Sequence, residues 1–369
     1  MVSVYIGTIL FFVFNTFLFI NHYLLKRKFN IYYAGIVFYM FLSIWTIIGS
    51  PKPIVDTFDV FSQVTQKVLN GQNPYTTSYN RTYQNSDNHF HYLPLSFITT
   101  TPFTIIFHDP RFAIIFFNIV SIYILKKIFT NRIVPQNLDI FIVTFLFLPR
   151  SFYMLEHMYL DPIIFSFFLL FYFFFQKKQY SFAALFLAFF FSFKQNLFIL
   201  LPIFIFDKSI YALLKKNLAY FLIPFLLIVF FLLLNPTMFL LYTFFSMFGS
   251  VFYPTAIRST PTDMALSFQV FIKHIFPNIK VVYLYGISGL LLLTVLILTF
   301  FRKTLNTPTK IFIATFAMGY FMHLSFFNQY YFIALFYFFV LLLGKSSTSQ
   351  IHNSRSHPRQ IPPKRSKFS

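Results

Sequence analysis

The sequence predicts an all-α polytopic membrane protein, a bundle of about 11 transmembrane helices (range 10–12) with interfacial helices in its first external loop. Three observations carry this. Of 369 residues, 57% are hydrophobic and 10% charged, with 62 Phe, where soluble domains hold about 25% charged residues. Apolar runs, each long enough to cross ~30 Å of hydrocarbon as a helix, follow one another as far as Leu343. The basic residues punctuate those runs and form no patch interleaved with stacking aromatics, so the formal charge of +20 speaks for membrane topology and against nucleic acid.

The expected spans are 3–25, 31–49, 111–129, 138–153, 161–176, 180–195, 197–206, 217–235, 281–301, 310–326 and 330–344. The first, from Val4 to Leu25, has neither a basic leader nor a small-residue cleavage site and reads as a retained helix. Run 197–206 is short for a full crossing and reads as half-embedded. Lys and Arg favour cytoplasmic loops, and placing Lys26, Arg27 and Lys28 inside sets the N-terminus outside. Alternation then puts Lys126, Lys127, Arg132, Lys177, Lys178, Lys208, Lys215, Lys216, Arg302, Lys303 and Lys310 inside, together with the basic tail. Asp56, Asp59, Asp87, Asp109, Glu156, Asp161 and Asp263 fall outside. Acids carry little weight in the orientation rule, so their segregation points to chemistry on the outer face.

Residues 1–344 form one transmembrane domain with long external segments 50–110 and 236–280. Residues 345–369 read as a basic, disordered cytoplasmic tail resting on anionic headgroups. The chain has no Cys, which excludes disulfides, Cys-ligated metals and thiol catalysis. No internal repeat, phosphate-cradling Gly-rich loop, His-x-x-x-His or Glu-x-x-His pair is present. The sequon Asn80-Arg81-Thr82 marks an accessible segment.

In the first external loop, Ile54, Phe58, Phe61, Val64 and Val68 recur every three or four residues, one stripe of an amphipathic helix. The opposite stripe is Asp56, Asp59, Gln63, Gln66 and Asn70, and Gly71 stands where a C-terminal cap belongs. Two acids near a helix N-terminus also complement the helix dipole. Next come the turn Gly71-Gln72-Asn73-Pro74-Tyr75 and then Tyr92-Leu93-Pro94-Leu95. The latter opens a short run, Leu95 to Phe107, that is interrupted by Pro102 and reads as a second interfacial helix.

An Asp-bearing amphipathic helix, Gly-x-Asn-Pro-Tyr and then Tyr-x-Pro-Leu resembles the first external loop of the GT-C membrane glycosyltransferases. The resemblance is nearest to the polyprenyl-phosphate-mannose-dependent mannosyltransferases. It implies a GT-C-like fold and transfer of a hexose, by family proximity mannose, from a polyprenyl-phosphate-sugar donor to a lipid or glycan acceptor on the outer face. An aspartate, ionised at neutral pH, would take the acceptor's proton as it attacks with inversion. Asp56 and Asp59 are the candidate bases: Asp56 lies about one residue upstream of the family's position, and Asp59 stands close to Phe61. Tyr75 and Tyr92 fall in the matching segments as substrate contacts.

The turn Arg150-Ser-Phe-Tyr-Met-Leu-Glu156-His157-Met-Tyr-Leu-Asp161 places ionisable groups between two apolar runs. Uncommitted charge is costly at membrane depth, which makes Arg150, His157 and Asp161 candidates for binding phosphate or sugar; a surface loop with an internal ion pair is the other reading. The family's Gly-Gln motif is missing here. Lys194 interrupts the apolar stretch Tyr180 to Phe206 within Phe193-Lys194-Gln195-Asn196 and suits a lipid-linked phosphate, although a snorkelling lysine would look the same. His323, with Asn328, Gln329 and Tyr330, resembles the family's Asn-x-x-Tyr or Gln-Tyr element. Arg258 is a further phosphate candidate or a solvated loop cation.

The expected partners are the polyprenyl-phosphate sugar, the acceptor and the bilayer. No cofactor is called for and no metal ligands are assigned, since a phosphate leaving group does not demand a metal. The competing expectations are a transporter or flippase of a lipid-linked substrate, and a non-catalytic subunit of a membrane complex. The membrane would be the cell membrane in a prokaryote and the endoplasmic reticulum in a eukaryote, with the outer face extracellular or luminal respectively.

Overall fold

The computed structural model describes residues 30–80, 89–244, 267–321 and 327–356, with a few helical positions between 9 and 20. Every regular element among them is helical. The helices are α1 (Ile31–Gly49), α2 (Asp56–Leu69), α3 (Leu95–Phe107), α4 (Phe112–Phe129), α5 (Pro135–Leu146), α6 (Ser151–Glu156), α7 (Asp161–Gln176) and α8 (Tyr180–Phe191). After a 3-10 turn (Gln195–Leu200) follow α9 (Leu201–Phe206), α10 (Lys208–Lys216), α11 (Leu218–Leu234) and α12 (Pro236–Thr243). The chain ends in α13 (Phe268–Ile275), α14 (Val281–Phe301), α15 (Thr307–Phe321) and α16 (Phe327–Ser356).

Three of these, Ile31–Gly49, Phe112–Phe129 and Tyr283–Phe301, are long and apolar enough to cross a membrane. The number rises to five if two bent pairs each count as one span. The run through Gln195–Phe206 bends by 101° into Lys208–Lys216, and Leu218–Leu234 bends by 120° into Pro236–Thr243. Among the described residues, then, three to five elements reach the length of a full span, and others of the expected eleven, such as Asp161–Gln176 and Tyr180–Phe191, are shorter apolar helices. Each bend has a local cause. Asp207 takes the Ser209 and Ile210 N–H groups and so starts α10 afresh, and Asn235 caps Met238 ahead of Pro236.

Other boundaries shift for similar reasons. The expected span 138–153 ends at Leu146, because Arg150 takes the left-handed conformation (φ 75°) and α6 begins as a separate short helix. Helix α16 continues past Gly344 to Ser356, where the sequence predicts a disordered tail; no proline interrupts it before Pro358. Residues 357–369 lie outside the described residues, as does most of the expected first span.

The segment from Ile54 to Phe107 follows its sequence closely. Helix α2 buries Phe58, Phe61 and Val64, and Gly71 closes it at φ 74° with the Gly71 and Gln72 N–H groups on Val68 and Lys67 O. Ile54, expected on the apolar stripe, precedes the helix and is exposed. Helix α3 covers Leu95–Phe107 and packs on α2.

In the bundle, α7 packs between α4 and α8 and also meets α16, while α1 packs on α5. The α7–α16 contact is aromatic, with Phe165 and Phe168 against Phe336 and Phe339. Polar pins cross between helices: Asn118 Nδ2 donates to Tyr39 Oη at 2.6 Å, and the Ser121 and Ser166 hydroxyls lie 2.6 Å apart. Arg111 is wholly buried and grips Asp109 through Nε and Nη2, Ser50 O through Nη1 and Ile47 O through Nη2. Its guanidinium also lies 4.6 Å from the Phe58 ring.

Gly35 lets α1 approach α5, since a Cβ there would meet Val143 Cγ1 at 2.4 Å. Gly35→Leu is expected to cost about 1–3 kcal/mol through overpacking. Adding Val143→Ala should recover much of it, as read from thermal unfolding of the detergent-solubilised chain.

Candidate functional site

Four stretches distant in sequence meet at one end of the bundle: the start of α2, segment 89–93, the turn 150–161 and segment 193–197. The junction forms where α8 stops. Past Phe191 the chain extends, with Lys194 at φ −135°, before the 3-10 turn begins. An extended segment leaves backbone groups in need of partners, and segment 91–93 supplies them. Leu93 N donates to Phe193 O at 3.2 Å, and Gln195 Nε2 donates to His91 O at 3.3 Å. These bonds set Tyr92 beside Lys194, whose Nζ lies 6.0 Å from the ring centroid.

Lys194 Nζ donates to both carboxylate oxygens of Asp161, at 3.1 and 3.2 Å, with the side chains only 15% and 5% exposed. Asp161 opens α7 ahead of Pro162, where an acid also complements the helix dipole. Both groups line a cavity of about 40 Å³ with Asn196, Leu197, Thr315, Met318, Gly319 and Phe332. That is room for a water or one hydroxyl-bearing substituent. Asn196 Oδ1 is buried and, among the described residues, has no hydrogen-bond partner, an acceptor that calls for a donor.

Tyr92 links this pair to α2. Burial pushes its hydroxyl pKa up; Lys194 opposes that, and the Asp56 and Asp161 carboxylates reinforce it. The Thr57 hydroxyl donates to the neighbouring Asp56 Oδ1 at 3.4 Å, and its proximity to Tyr92 works against the rise. Burial also raises Tyr159, with Tyr153, Tyr92 and Asp56 adding to it. A neutral Tyr92 thus stands between two carboxylates, one on α2 and one on α7. Asp59 lies a turn beyond Asp56, and its carbonyl accepts from Ser62 Oγ and Gln63 Nε2.

His157 sits against Tyr153 (ring centroids 4.1 Å apart) and parallel to Tyr159, with Nδ1 at 3.1 Å from Tyr153 O and 3.7 Å from Glu156 Oε2. Burial holds its imidazole below the ordinary value of 6.5, against the pull of Glu156. Arg150, at the left-handed start of α6, is also lowered by burial. Met158 is left-handed too, at φ 58°. Two such non-glycine residues in one turn mark a locally strained segment.

Four sequence candidates therefore come together: Asp56, Tyr92, Asp161 and Lys194. Tyr75 is fully buried among Phe90, Phe231 and Phe239, and its hydroxyl donates to Tyr92 O at 2.8 Å, so it supports the loop from within. Tyr330 opens the apolar part of α16 half-buried, while the Gln329 side chain, Arg258 and His323 lie outside the described residues. Sequence reasoning passed over Asn196, Tyr153, Tyr159 and Arg111. The last carried a usable signal, a cation in Asp109-Pro110-Arg111 at the head of an apolar run.

Among the described residues, no group of three or more His, Asp or Glu is arranged to hold a metal. No protein-family model matches the chain, and no curated protein matches it at a significant level.

Two outcomes follow. Asp161→Asn strands the Lys194 ammonium and is expected to cost about 3–5 kcal/mol, whereas Asp161→Leu with Lys194→Met, which removes both charges, should restore most of it in thermal unfolding. Because the fold favours neutral His157, the unfolded chain binds the proton first. This contribution to stability is present above about pH 6.5 and is lost as pH falls from there to the lower folded-state value. His157→Gln should flatten that acid-side decline in a melting series.

Proposed function

We propose that the chain is a membrane-embedded glycosyltransferase of GT-C type, taking a hexose from a polyprenyl-phosphate donor. The observation that supports it best is the meeting of Asp56, Tyr92, Asp161 and Lys194, which four separate segments carry to one end of a bundle of apolar helices. A carboxylate base and a cation for a leaving phosphate are the two groups that inverting transfer needs.

In this reading the acceptor hydroxyl attacks the anomeric carbon while Asp56 accepts its proton. The bond from that carbon to the phosphate oxygen breaks, and its electron pair leaves with the polyprenyl phosphate. Lys194 stabilises the departing charge once it shifts from Asp161 towards the phosphate. Tyr92, kept neutral by burial, orients Asp56 and shields the two carboxylates from each other. The cavity by Asn196 takes one sugar substituent, its orphan acceptor matched by a hydroxyl donor.

A carrier of a lipid-linked anion is the second reading, favoured by the bent helix pairs and by a charge pair buried beside one of them. A transfer assay with the purified chain and radiolabelled polyprenyl-phosphate mannose, with the glucose donor as control, separates the two. Asp56→Asn is expected to reduce transfer about 10²–10⁴-fold while Asp59→Asn retains most of it. Full transfer by Asp56→Asn sinks the assignment of the base, and movement of donor across vesicles without sugar transfer favours the carrier.

A further inference from the structure

Helix α7 is bounded by a second cavity at its other end. Phe168, Phe171, Tyr172 and Phe175, spaced so that they share one face of the helix, wall a recess of about 190 Å³ closed by Asp207, Ile210, Asn306, Thr307 and Pro308. The Asp207 carboxylate is committed to the fold: it caps α10 through the Ser209 and Ile210 N–H groups and accepts from the Thr307 hydroxyl. The segments that form the recess are otherwise cationic. Lys177 and Lys178 follow Phe175, Lys208 follows Asp207, and Arg302 and Lys303 precede Asn306; all five are exposed. An apolar, aromatic-walled recess set among exposed cations complements a molecule with an apolar body and an anionic head.

We propose that this recess binds an anionic phospholipid of the adjoining leaflet. The head phosphate lies on Lys208, Arg302 and Lys303, and the start of one acyl chain lies against Phe171, Tyr172 and Phe175. The five cations argue against a quaternary ammonium head, which an aromatic wall alone would also accept. Juxtamembrane cations attract anionic lipid by about 1 kcal/mol each; the recess adds a shaped apolar wall, which turns a diffuse attraction into a saturable site. The site stands apart from the sugar-transfer reading and does not depend on it.

The test uses the full chain in phosphatidylcholine nanodiscs with and without phosphatidylglycerol, read by lipid retention in native mass spectrometry and by melting temperature. Phosphatidylglycerol is expected to be retained saturably and to raise the melting temperature, while inorganic phosphate has no effect. Lys208→Glu with Arg302→Glu and Lys303→Glu should weaken retention roughly tenfold or more. Lys215→Glu with Lys216→Glu, two exposed cations at the end of α10 away from Asp207, should leave it close to wild type. If the triple reversal misfolds by circular dichroism, the Gln versions of the same three residues give the same direction with a smaller effect. Equal losses in the two charge variants, equal retention of phosphatidylcholine, an effect of inorganic phosphate, or protection arising from a second copy of the chain each overturn the proposal.

Discussion

A guanidinium that reaches no water anchors one corner of this fold. Arg111 heads α4, yet its donors are spent on the end of α1, at Ile47 and Ser50, and on Asp109, while its flat face lies on Phe58 of α2. Such an ion is tolerated only when its donors are matched, so three elements must be held in fixed relation. Phe58 is two residues from Asp56. The position of the candidate base is therefore set from beneath by an ion pair that takes no part in the chemistry.

The same logic recurs where α8 breaks. In an apolar surrounding, backbone that leaves the helix must find partners within the protein, and the segment 91–93 answers the segment 193–195. Tyr92 and Lys194 are neighbours because two unsatisfied pieces of backbone need each other. Polar side chains gather at this joint for the same reason, whereas the helix interiors are lined largely with Phe and hold polar groups as scattered pins such as Asn118 and Ser166.

Much of the segment from Asp56 to Phe107 was legible in the sequence, because its signals are local. The three-and-four spacing of Phe58, Phe61 and Val64, the glycine at 71 and the proline-bounded run from Leu95 are decided within a few residues, and the helices obey them. Lys194 was legible as an anomaly in an apolar stretch; its partner was not, because Asp161 lies 33 residues away and nothing in either segment announces the other. The inward seat of Tyr75 was not legible, since its motif specifies a turn and only packing decides which way the ring faces. The bends were not legible, because apolar length alone does not distinguish a straight helix from one that an N-terminal cap at Asp207 or Asn235 restarts in a new direction.

The phenylalanine-lined contact between α7 and α16 has a consequence for how the bundle fails. Rings packed edge to face offer nearly equivalent seats one turn up or down, so a purely aromatic seam specifies proximity better than register. The vernier is polar: Ser121 with Ser166 and Asn118 with Tyr39 fix how far α4 sits along α7 and α1. Loss of such a pin in a lipid surrounding leaves every helix intact and every apolar face covered. The characteristic defect of this architecture is slippage rather than melting, with the two ends of α7 carried out of line together.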